Sequence, residues 1–186
     1  MKKCRLLKAS VTAVLVIMLF STFGGAACGE AIDGSGAIPW ESGISQVTDI
    51  LGAPTAGTFD NELATLAGYF LQDEVLGTGY VIYAFKDDRL FIRSYVFAGE
   101  DPNEIEKNVM AKIDSLFGQH ADVASAEVMT VLSLFGYPWE DTWASEGAMW
   151  STDEEIIYGI IDLDEGGSYW TVFLDKDYPE YRHEGE

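Results

Sequence analysis

The chain has 186 residues, with 31 Asp and Glu against 11 Lys and Arg, and only two cysteines. So acidic a balance repels phosphate backbones and excludes nucleic acid as a natural partner. The apolar and aromatic content is ample for a packed core, which excludes a disordered tail.

Lys2, Lys3, Arg5 and Lys8 precede an uncharged apolar run from Val11 to Phe20 and then small residues up to Ala27. That order predicts a secretory signal peptide over residues 1–27. An uncleaved anchor is the alternative, although the apolar run is short against the roughly 20 residues a membrane span needs. Cleavage after Ala27 would leave seven basic residues against all 31 acidic ones.

Cys28 follows Gly25-Ala26-Ala27, and Cys4 would leave with the signal, so Cys28 has no intramolecular partner. A lone cysteine in an exported chain calls for a reason, and lipidation of Cys28 is one. The setting resembles a bacterial lipobox, though Gly25 stands where Leu is usual. Plain secretion with a free thiol is the alternative. Residues 28–37 are Gly-rich without apolar periodicity and read as a flexible tether. Residues 38–182 then form an α+β domain, with possible halves 38–100 and 101–182, and residues 183–186 are a polar tail.

The first expected element is a short helix over Ser42 to Leu51, with Ile44, Val47, Ile50 and Leu51 on its apolar face. Ser42 is its expected N-cap, and Gly52 and Pro54 stop it. Strand-like runs follow at Ala64–Leu71, Tyr80–Phe85 and Leu90–Phe97. Gly77-Thr78-Gly79 is read as a turn, and Lys86-Asp87-Asp88-Arg89 as the turn of a hairpin. Period-two alternation puts Phe91, Arg93, Tyr95 and Phe97 on one face, with Arg93 expected to snorkel at the sheet edge.

Asp101-Pro102-Asn103-Glu104 opens the strongest helical signal, with a cap, a first-position proline and an acid in capping-box position. Its stripe is Ile105, Val109, Ile113, Leu116 and Phe117, and Gly118 closes it. Residues 124–135 fit a helix or a strand. Gly136 and Pro138 favour the helix. Glu155–Leu163 and Tyr169–Leu174 read as a hairpin around Gly166 and Gly167.

VTDILGAP (Val47–Pro54) lines up with VLSLFGYP (Val131–Pro138), which suggests two tandem helix-sheet units. The stretch Ile38–Pro54, with its Leu51-Gly52-x-Pro54 helix stop, resembles the opening of small bacterial envelope lipoproteins of the SmpA/OmlA (BamE-like) type. The tandem order is similar to the β-lactamase-inhibitor-protein fold, and the whole resembles tethered lipoproteins of Gram-positive gut bacteria. The resemblance implies an antiparallel sheet packed with short helices. It also implies a non-catalytic domain that binds another envelope or secreted protein and meets the membrane through its lipid alone.

The chemistry-bearing residues are sparse. His120 follows a helix C-terminus and His183 lies in the tail, with no metal-ligand spacing, nucleophile elbow or phosphate loop. No cofactor or metal is expected. Asp162, Asp164 and Gly167 fit a hairpin turn better than a calcium loop, whose fifth- and twelfth-position ligands are missing, since Gly166 and Phe173 stand there. The candidate contact surface is Trp139, Trp143 and Trp150, with Tyr80, Tyr83, Phe91 and Tyr95 on the sheet. A glycan-binding protein, or a glycan hydrolase using two of Glu140, Asp141 and Glu146, is the alternative. A structural envelope-assembly lipoprotein is a third reading.

Overall fold

The computed structural model describes residues 38–60, 63–73, 76–98, 101–124, 147–162 and 168–177. Among the described residues two helices, Ile44–Leu51 (α1) and Pro102–Phe117 (α2), accompany eight strands. The first four strands are Gly57–Asp60 (β1), Thr65–Asp73 (β2), Gly77–Lys86 (β3) and Arg89–Ala98 (β4). The last four are Ala121–Val123 (β5), Gly147–Ser151 (β6), Glu155–Asp162 (β7) and Ser168–Asp175 (β8). All pair antiparallel in one sheet of order β1-β2-β3-β4-β8-β7-β6-β5, so the architecture is α+β. The last strands of the two runs, β4 and β8, meet at the centre.

One face of the sheet packs against both helices. Tyr69 and Leu71, Val81, Tyr83 and Phe85, Tyr95 and Phe97, Phe173, Ile157 and Trp150 form its core with Val47, Val109 and Ile113. Cross-strand registers explain the set, because Tyr69, Val81, Tyr95 and Thr171 occupy one row and share a side of the pleat. The row continues through Gly159 and Ala148, where small residues bring the sheet surface down beneath α2, which contacts β4, β7 and β8.

The opposite face carries Ala84, Ile92, Val172, Leu174 and Tyr158, buried at its centre. Leu66, Ile82, Val96, Met149 and Ile156 lie half-buried on its flanks.

Several expectations are corrected. Gly77-Thr78-Gly79 is not a turn but the start of β3, paired with Asp73, Gln72 and Leu71. Gly79 is required by packing, since a Cβ there would sit 2.5 Å from the Val96 carbonyl oxygen and 2.8 Å from the Phe97 ring. Phe91 does not share a face with Arg93, Tyr95 and Phe97. Ala84 pairs with Ile92 while Phe85 pairs with Leu90, so Phe91 is the extra residue of a β-bulge and joins the second face. Ser42 is not the N-cap of α1. Its hydroxyl donates to the Pro39 carbonyl, Gly43 is the cap residue, and Asp88 accepts from the Ile44 amide.

The hairpin turn is at Asp87 and Asp88, both with positive φ, as a two-residue turn of the sheet's own hand requires. Asp101 caps α2, accepting from the Asn103 and Glu104 amides, with Pro102 in the first turn and Gly118 at the end. Two stripe residues are exposed, Ile50 at 61% and Leu116 at 45%. At about 100° per residue each lies on the margin of its helix's buried arc, so the apolar face is narrower than the stripe.

Candidate functional site

The charged residues of the central strands face inward. Asp175 and Glu155 stand directly opposite each other on β8 and β7, an arrangement in which two carboxylates repel. Two arginines of β4 resolve it. Arg89 Nη2 lies 2.9 Å from Asp175 Oδ2, and Arg93 Nη2 lies 3.0 Å from Glu155 Oε2. Arg93 is not at the sheet edge, as expected, but in a central strand, 4% exposed, reaching past Phe173 to β7. Its guanidinium lies 4.4 Å from the Trp40 ring centroid and 5.5 Å from that of Phe173, so its charge meets an aromatic face as well as a carboxylate.

Trp40 belongs to a strap, residues 38–43, that enters α1. Ile38 is buried, Glu41 pairs with Arg89 at 3.1 Å, and the strap makes two backbone hydrogen bonds to Leu90. The inward charges therefore bind the strap, β4, β7 and β8 together at one end of the sheet. At the far end Lys112 of α2 lies 2.6 Å from the buried Asp73 of β2, whose other oxygen accepts from the Leu76 amide.

A second polar cluster ties the end of α2 to the sheet. Asp114 accepts from the Trp150 indole at 2.8 Å and from the His120 backbone amide at 3.3 Å. His120 Nδ1 lies 3.0 Å from the same carboxylate, and its ring centroid is 5.4 Å from that of Trp150. The hydrogen bond from the His120 side chain, helped by the indole and outweighing partial desolvation, holds the Asp114 carboxyl below the usual carboxylate range.

The predicted contact residues fall into three groups. Trp150, Tyr83, Phe91 and Tyr95 are between 0% and 3% exposed, so each is core rather than contact surface. Their large rings gain more from burial than a solvated surface allows. Trp139, Trp143, Glu140, Asp141 and Glu146 lie outside the described residues, as do Cys28, His183, Asp164 and Gly167. The second copy of the repeat, Val131–Pro138, and the undecided stretch from 125 to 135 also lie outside them.

Tyr80 remains half-buried on the second face, directly opposite Phe70, with ring centroids 5.1 Å apart. Burial raises the Tyr80 phenol above its ordinary value. On the same face Val96 stands opposite Tyr80, Ile82 follows along β3, and Leu66 lies beyond Gly68 on β2. The flank is thus an aromatic pair set in aliphatic side chains with one neutral hydroxyl, a surface suited to apolar contact with a single hydrogen bond.

Sequence reasoning missed Trp40, Arg89, Glu155 and Asp175. The signal was present, since Glu155 and Asp175 bracket strand-like runs at the positions where a hairpin around residues 163–167 would pair them. Among the described residues no group of three or more His, Cys, Asp or Glu is placed to hold a metal ion, and no helix is long and apolar enough to cross a membrane. Comparisons with protein-family models, curated proteins and solved structures returned no match.

Proposed function

We propose that this chain is an exported, lipid-anchored, non-catalytic binding module of a bacterial cell envelope that meets another protein through the flank of its sheet. The half-exposed pair Phe70 and Tyr80, set among Leu66, Ile82 and Val96, carries this reading. Contiguous half-exposed apolar side chains on a folded domain mark interaction surfaces more often than single exposed ones do. The buried charges support the same reading. Arg89, Arg93, Glu155 and Asp175 are directed at one another and hold elements together.

The strand order supports a tandem origin. Each run of four strands follows a helix, and the final strands of the two runs meet. On this reading α2 occupies the place of α1 in the second unit. The likeness to SmpA/OmlA-type lipoproteins and to the β-lactamase-inhibitor-protein fold belongs to the same proposal.

The test is affinity capture from the envelope and secreted fractions of the parent organism, with wild-type, Tyr80→Asp and Phe70→Asp proteins of matched circular dichroism. A stoichiometric protein held by the wild type and lost by both variants supports the reading. Retention of the same partner by both variants removes the flank. Capture of envelope glycan in place of protein removes the protein-binding function.

A further inference from the structure

The strap fixes where the chain enters the domain. Leu90 donates its amide to the Ser42 carbonyl and accepts from the Glu41 amide, and the Ile44 amide donates to Asp88 in the β3-β4 turn. A turn closed by the Ser42 amide on the Pro39 carbonyl keeps Ile38 beside the same end, where Trp40 covers Arg93. That end of the sheet also holds the β6-β7 turn at Thr152–Glu154 and the end of β8 at Lys176 and Asp177. The opposite end, at Gly77 and Thr78, is a strand length away, about 30 Å at roughly 3.3 Å per residue.

From this we infer that the strap end of the sheet, with the Asp87-Asp88 and Thr152–Glu154 turns, faces the membrane, and that the end at Thr78 points away from it. The inference rests on the proposed anchorage at Cys28. Ile38 lies ten positions after Cys28, and no trans chain of that span reaches beyond about 36 Å. The entry point therefore stays within about 36 Å of the lipid, little more than one strand length. The domain extends from that point along its strands, because the strap is held by side-chain and backbone bonds at several positions.

Exposed Glu41, Asp87, Asp88, Asp153, Glu154 and Asp177 crowd the strap end, and they oppose close seating on anionic headgroups. The strap end is accordingly a facing surface held off the lipid. Phe70 and Tyr80 lie on β2 and β3 toward the far end, with Thr78 two residues from Tyr80, which leaves the proposed contact flank open to a protein arriving from outside.

The test uses the full chain produced in a lipidating bacterial host and reconstituted in vesicles of phosphatidylcholine and phosphatidylglycerol with headgroup-labelled acceptor lipid. Asp153→Cys and Thr78→Cys each replace an exposed residue and take a donor fluorophore. A donor at position 153 should transfer about twofold more strongly than one at 78, given the strand length between them. Equal transfer, or stronger transfer from 78, overturns the orientation. A Cys28→Ser protein separates the two claims. If wild type binds vesicles, Cys28→Ser does not, and transfer is equal, the orientation fails and the anchor stands. If wild type does not bind, or Cys28→Ser binds equally well, the Cys28 anchor fails and the orientation falls with it.

Discussion

Arg93 of β4 and Glu155 of β7 meet at 3.0 Å across the intervening strand, with Phe173 of β8 between them and Trp40 on the guanidinium. Both side chains are withdrawn from solvent, at 5% and 16% exposure. Removing one partner strands the other charge in the interior. Glu155→Leu should destabilise the domain by about 3 kcal/mol, and Arg93→Met by a similar amount. The double variant Arg93→Met/Glu155→Leu should lose much less than the two together. Urea unfolding of the four proteins checks this, and additive losses would refute the coupling.

Asp88 works at two levels. Its positive φ of 58° makes half of the hairpin turn, and its carboxylate accepts from the Ile44 amide 2.9 Å away. Asp88→Ala should cost about 1–2 kcal/mol, the range of a lost cap, and fray α1. Asp87→Gly should be neutral or slightly stabilising, because glycine adopts the φ of 52° without strain. Thermal unfolding of both variants separates the cap from the turn.

Gly79→Ala should destabilise by about 1–3 kcal/mol through overpacking, since the added carbon meets the backbone of β4 rather than a flexible side chain. Gly43→Ala should also destabilise, because its Cβ would lie 2.8 Å from an Asp88 carboxylate oxygen and push the cap aside. If Gly43→Ala costs much less in an Asp88→Ala background than in the wild type, the clash with the cap, and not the helix, is the cause.

The acid side of the stability profile should belong in part to Asp114. Its folded value lies below its unfolded one, so its contribution is present above the ordinary carboxylate value. That contribution is lost as the pH falls through the folded value. Asp114→Asn should lower stability at neutral pH by about 1 kcal/mol and flatten the loss on acidification. Denaturation midpoints from pH 7 down to 3 check it, and an unchanged acid slope would count against this assignment.

Much of the architecture was legible because it is encoded locally. The β3-β4 hairpin shows in two β-branched and aromatic runs flanking Asp87 and Asp88, and α2 shows in Asp101, Pro102 and Gly118, which solve its terminal hydrogen bonds within a few residues. The short strands β1, β5 and β6 were not legible. At three to five residues they carry too little alternation to stand out. The candidate surface was legible only at Tyr80, because aromatic content does not say which side of a strand is covered.

By itself the sequence determined the helix limits of α2, the hairpin turn and the alternating strands, since each depends on dihedral preference and hydrogen bonding among near neighbours. Only the tertiary structure decided the rest. The pairing of β4 with β8 joined residues about 80 positions apart, as in Ile92 with Leu174. That pairing placed Arg93 beside Phe173 and within reach of Glu155, and so converted an expected edge arginine into a buried one. The bulge at Phe91 shifted one aromatic to the other face, because a single extra residue reverses the side on which a strand presents its side chains.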